Sequence, residues 1–119
     1  MFIYHSPIQD NVLHELITAS DLVIGSISGA QVEALLLDKD VINLVYEKVS
    51  DPLLMDKFGA AVTVFNPSEL TMTISKILNS KELQEKLKIG RKRYIDYCLY
   101  KFDGKASNRI MDLIKDIIT

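Results

Sequence analysis

The chain is 119 residues long, with a formal net charge of −2, 48% hydrophobic and 25% charged residues. That is the makeup of a single folded domain of ordinary composition, and it argues against a disordered chain. No apolar run approaches the roughly 20 residues of a membrane span, and Met1 to Asp10 has neither the basic start nor the apolar core of a signal peptide. The cytoplasm is therefore the expected compartment.

Phe2 to Tyr4 reads as a short strand. Ile8 to Ala19 follows as a helix with Ile8, Val12, Leu13, Leu16 and Ile17 on one face. Leu22 to Ile24 is an apolar run between Asp21 and Gly25, as expected of a buried parallel strand. Ser26 to Gly29 is too small and turn-prone to continue it. Ser28 with Gln31 three residues on has the capping-box pattern, which predicts a helix opening at Ser28 and running to about Leu37. Val41 to Val45 and Ala61 to Phe65 are the next strands. Between them Asp51 to Phe58 reads as a short helix with Pro52 in its first turn and Gly59 at its end. Asn66-Pro67-Ser68-Glu69 turns into a helix over Leu70 to Leu78, and Ser80 starts the next one. From there the chain reads as helical, with a break at Gly90 and a last helix carrying Ile110, Leu113, Ile114, Ile117 and Ile118. The expected class is α/β: a Rossmann-like parallel sheet of about four strands, helices on both faces, and a helical C-terminal third, all in one domain over residues 1–119.

The turn at residues 25–29 carries the chemistry. The first N–H groups of a helix have no intrahelical partner, and the helix dipole adds positive potential at the same place, so a phosphate is a natural occupant. Gly29 would let it approach without a side chain in the way. Glu33, further along the helix, could accept hydrogen bonds from ribose or sugar hydroxyls. The plain alternative is an ordinary helix cap with a solvated glutamate.

Charge is shared unevenly. Residues 1–59 carry 3 Lys against 9 Asp or Glu, whereas residues 60–119 carry 11 Lys or Arg against 7 Asp or Glu. Arg91-Lys92-Arg93 is the densest basic spot, read as a solvated helix face. It is too narrow for a nucleic-acid footprint, and no nucleic-acid partner is expected. An anionic membrane surface or a charged glycan is a softer alternative for it. Cys98 shares a helical stripe with Tyr94, Ile95 and Leu99 and is expected to be a buried structural thiol. His14 lies beside the apolar face of its helix and reads as a surface or packing residue. With two distant histidines and one cysteine, the ligand spacings of a zinc or iron site are missing, so no metal is expected.

Read with its flanks, the central segment resembles the C-terminal, donor-binding Rossmann domain of B-type glycosyltransferases, which have two facing Rossmann domains. The matching elements are the strand Ala19-Ser20-Asp21-Leu22-Val23-Ile24, the turn Ser28-Gly29, the pair Glu33-Ala34, and the strand Asp38-Lys39-Asp40-Val41-Ile42. The Ser-Gly turn followed by Glu-Ala is also similar to the UDP-N-acetylglucosamine 2-epimerase relatives of these transferases. Phe102-Asp103-Gly104-Lys105-Ala106-Ser107-Asn108-Arg109-Ile110 resembles an ending found among epimerase-like and glycerophosphotransferase-like enzymes. Asp40 departs from the pattern, since family members usually carry proline there.

The resemblance implies that a nucleotide-diphosphate sugar is the substrate and that no separate cofactor is needed. Ser28, Gly29 and Ala30 would hold the diphosphate, Ser26 would add a polar contact, and Glu33 would bind ribose or sugar hydroxyls. Tyr4 and His5, in the loop after the first strand, would lie near the nucleotide base. The catalytic base and the acceptor would come from another domain, so no catalytic residue is assigned within this chain. Because 119 residues are few for a two-domain enzyme, a truncated or split B-type domain is expected. It would work with an N-terminal acceptor-binding domain or subunit, or as a homodimer, and at the inner face of the membrane if its acceptor is lipid-linked. Two other readings share the same turn: a sugar-nucleotide 2-epimerase-like enzyme, and a non-catalytic interaction module.

Overall fold

A computed structural model describes residues 10–45, 53–98 and 104–118. In chain order the elements are α1 (Asp10–Ala19), β1 (Leu22–Gly25), α2 (Gly29–Leu36), β2 (Asp40–Leu44), β3 (Val62–Val64), α3 (Pro67–Asn79), α4 (Lys81–Cys98) and α5 (Ala106–Ile118). The described strands form one parallel sheet in the order β1-β2-β3. The α/β class and the parallel sheet are as expected. The described chain shows three strands; the fourth, expected at Phe2 to Tyr4, lies outside the described residues.

The alternation of side chains along each strand divides the core in two. Val23 and Val41 point to one face, where Ile17 of α1, Ala34 and Leu35 of α2, Met55, Ala60 and Tyr94 of α4 pack. Leu22, Ile24, Ile42, Leu44, Val62 and Val64 point to the other, against Ile77 of α3 and Leu87 of α4. Helices thus cover both faces, and β2, the middle strand, is buried along Val41, Ile42 and Asn43.

Helix α4 serves both halves because it passes across the amino end of the sheet. Leu87, Gly90, Arg91 and Tyr94, spaced i, i+3, i+4 and i+7, form its buried stripe. Gly90 does not break this helix, contrary to expectation. A Cβ built on it would lie 2.1 Å from the carbonyl oxygen of Gly59, so its lack of a side chain is what allows α4 to lie against the backbone leading into β3. Arg91, only 6% exposed, is not part of a solvated basic face either. Its Nε donates to Asp38 Oδ1 (3.1 Å), and its Nη1 donates to the Lys39 carbonyl (3.1 Å) and Asp40 Oδ1 (2.7 Å). Asp40, at the entry to β2, thus meets this guanidinium.

Two turns at the same end have the same build. After α2, Lys39 N–H reaches back to the Ala34 carbonyl and Asp38 N–H to that of Leu35, with Asp38 at φ 59°. Before β3, Ala60 N–H reaches the Met55 carbonyl and Gly59 N–H that of Asp56, with Gly59 at φ 72°. Both are Schellman closures with a left-handed residue just past the last helical turn. Within the described residues the second closes one helical turn, not the full helix expected over Asp51 to Phe58.

Helix α3 starts earlier than expected, at Pro67, because Asn66 caps it by accepting the Ser68 N–H and proline suits the first helical position. Ser80 accepts the Leu83 N–H and separates α3 from α4. Cys98 is exposed, which overturns the expectation of a buried thiol. Tyr94 is the last buried side chain of α4, and beyond the half-buried Ile95 the helix has left the core. Helix α5 buries none of its residues: Ile110, Met111, Leu113, Ile114, Ile117 and Ile118 are exposed. Among the described residues no helix is long and apolar enough to cross a membrane.

Candidate functional site at the carboxyl end of the sheet

The carboxyl ends of parallel strands, where chains leave for helices on the two faces, are where open α/β sheets hold ligands. Here that edge is made by Gly25, Leu44 and Val64, followed by the turn from Ser26 to Ser28. Ile27 anchors the turn by packing on the core around α2, while Ser26, Ser28 and Gly29 are exposed.

Ser28 is the N-cap residue of α2, in extended conformation at φ −160° and ψ 173°. The expected capping box does not form. The Ser28 hydroxyl makes no cap hydrogen bond to the helix backbone; it donates instead to Oε1 of Gln31, 3.1 Å away. The Gln31 N–H is taken by the Ser28 carbonyl at 3.1 Å. Burial of Gln31, at 3% exposure, explains the change. Its Nε2 lies inward against Gly25, and its Oε1 takes the Ser28 hydroxyl in place of the Ser28 N–H. The amides of Gly29 and Ala30, at the start of α2, therefore receive no side-chain cap from Ser28. No acidic residue sits in the first turn to oppose an anion, and a Cβ at Gly29 would meet nothing within 4 Å. Among the described residues, Gly29 thus leaves space beside the helix start for an anion.

Glu33 lies four residues beyond Gly29, one turn further on the same side of α2. Its Oε1 is 3.0 Å from Nδ1 of His14, so the surface histidine of α1 holds this carboxylate in place. The structure thus brings Ser28, Gly29, Ala30 and Glu33 together along the first turns of one helix, with Ser26 in the turn before it. Tyr4 and His5 lie outside the described residues.

Sequence reasoning passed over a second set of groups at this edge. Gly25, Asn43 and Thr63 are register partners across β1, β2 and β3, and so share one face of the sheet. Asn43 is fully buried, yet neither Nδ2 nor Oδ1 has a hydrogen-bond partner among the described residues. The same holds for Oγ1 of Thr63 and Nε2 of Gln31. Gln31 belongs to this row because a Cβ at Gly25 would stand 2.8 Å from its Nε2. Each such orphaned group costs about 1–3 kcal/mol. The readable signal was the single polar residue interrupting each of two apolar runs, Val41-Ile42-Asn43-Leu44-Val45 and Ala61-Val62-Thr63-Val64-Phe65.

A concavity of about 440 Å³ lies elsewhere, between the end of α2 and α4, lined by residues that include Leu35, Asp38, Ile89, Lys92 and Ile95. It is at the amino end of the sheet, and Arg91, which also lines it, already gives Nε and Nη1 to structural partners.

Compared with family models, with curated protein sequences and with solved structures, the chain gives no significant match to any.

Proposed function

We propose that this chain is the donor-binding part of a B-type glycosyltransferase, gripping a nucleotide-diphosphate sugar at the start of α2. The observation that carries the reading is the uncapped, open helix start at the carboxyl end of a parallel sheet. The N–H groups of Gly29 and Ala30 donate to the diphosphate, and the positive end of the helix favours its charge. Ser28 and Ser26 offer hydroxyls at the mouth of the turn. Glu33, steadied by His14, uses its remaining carboxylate oxygen to accept from ribose or sugar hydroxyls. As the sugar leaves, the same donors stabilise the growing charge on the diphosphate, so this part contributes positioning and leaving-group stabilisation. The acceptor and the general base come from a second domain or subunit, and the chain alone is not a transferase. The cytoplasm, where nucleotide sugars are at hand, is the compartment that fits.

Calorimetric titration with UDP, CDP and GDP tests this. One of them is expected to bind saturably, with affinity lost in Gly29→Phe and lowered about tenfold in Glu33→Ala, the loss of one hydrogen bond to a charged group. A folded chain that binds none of the three contradicts the proposal.

A further inference from the structure

The buried polar row next to the helix start has a composition that points to a ligand. Gln31 Nε2 can only donate, Asn43 supplies both a donor and an acceptor, and the Thr63 hydroxyl can do either. The row contains no lysine, arginine or carboxylate, so it suits neither a second phosphate nor a cation. An apolar group would leave all four atoms unpaired. A set of mixed, uncharged donors and acceptors is matched by hydroxyl groups, each of which donates and accepts. Neighbouring strands are about 4.8 Å apart, so the row from Gly25 to Thr63 spans roughly 10 Å, the reach of one sugar ring with its hydroxyls. It joins the anion-facing turn without a gap, since Gln31 Oε1 holds the Ser28 hydroxyl while Nε2 of the same amide lies over Gly25.

We infer that Gln31, Asn43 and Thr63 are the sugar-reading residues of this site, pairing with the hydroxyls of the sugar whose diphosphate lies at Ser28 to Ala30. The inference rests on the donor-binding reading. Asn43 is wholly buried, so pairing with it requires the carboxyl edge to open. Burial is also what gives the row its discrimination, because a ligand lacking the hydroxyls leaves buried polar groups unpaired.

The test compares each nucleoside diphosphate with its sugar form, UDP with UDP-glucose, CDP with CDP-glucose and GDP with GDP-mannose, by calorimetry on the full chain. Thr63→Val keeps the shape and removes the hydroxyl; Asn43→Leu replaces the amide with an apolar group of similar size, and its folding is checked by circular dichroism. In the unmodified protein the sugar form is expected to bind at least tenfold more tightly than the bare diphosphate. Both variants are expected to bind the diphosphate within twofold of the unmodified chain and to lose at least fivefold of the sugar increment. If the diphosphate binds but the increment is absent, or survives in both variants, the row is a polar defect of the core and the inference is overturned while the donor reading stands. If neither form binds the folded chain, both fall.

Discussion

The two ends of the three-stranded sheet are built on opposite principles. At the amino end, polar groups are used up: Arg91 spends two nitrogens on Asp38, Lys39 and Asp40, two Schellman closures satisfy their helical carbonyls, and Gly90 lets α4 touch the backbone at Gly59. At the carboxyl end, polar groups are kept back: the start of α2 takes no cap from Ser28, and Gln31, Asn43 and Thr63 hold buried atoms without partners. A protein selected for stability alone would fill the second end as it fills the first. That contrast is what the proposed donor site rests on, since violations of local rules concentrate where function requires them.

This contrast can be broken by substitution. The largest effect is expected from Gly90→Ala, whose new methyl would collide with backbone at Gly59 and Ala60. Overpacking against backbone that cannot swing aside should cost about 3 kcal/mol or more and push α4 off the sheet, read as a large fall in the urea midpoint. Arg91→Met should come next, at about 2–3 kcal/mol. Its partner Asp40 is left nearly buried without a cation, although Asp38 remains solvated. Gly25→Ala at the other end should cost only about 1 kcal/mol, because the atom it meets is the far end of the Gln31 side chain, which can shift. Asn43→Leu should go the opposite way and raise stability by about 1 kcal/mol, as an unpaired buried amide is removed. The smallest effect on folding is expected from Gly29→Ala, within about 0.5 kcal/mol at an exposed helix start with open space above it. Thermal or urea unfolding of these five variants would place them in that order. A stabilising Gly90→Ala or a strongly destabilising Asn43→Leu would dissolve the distinction between the ends.

Much of this was legible in the residues. Strands at 22–24, 41–45 and 61–65 were each placed to within a residue or so of the observed ends, because short apolar runs bounded by Gly, Asp and Asn leave few alternatives. Ser28 as the N-cap was equally clear. What escaped reading depended on contacts between residues far apart in the chain. Gly90 looked like a helix breaker because its value lies in Gly59, thirty-one positions away. Arg91 looked solvated in the run Arg91-Lys92-Arg93 because its acceptors sit more than fifty residues earlier; only its place in the stripe with Leu87 and Tyr94 gave it away. The capping box failed for the same reason: a side chain that locally could bend back on Ser28 is drawn inward by the gap that Gly25 leaves. Cys98 was misjudged because helical periodicity says which residues share a face and not how far along the helix the core extends.

The most direct measurement of the central claim is amide chemical-shift mapping by NMR during titration with UDP, CDP and GDP. The account predicts that the diphosphate that binds moves the signals of Gly25 to Gln31, with little change at Asp38 to Asp40 or along the groove face of α4 at Ile89 and Lys92. Shifts centred on that groove, with the Ser28 turn unmoved, would place the ligand at the packed end of the sheet and contradict the account.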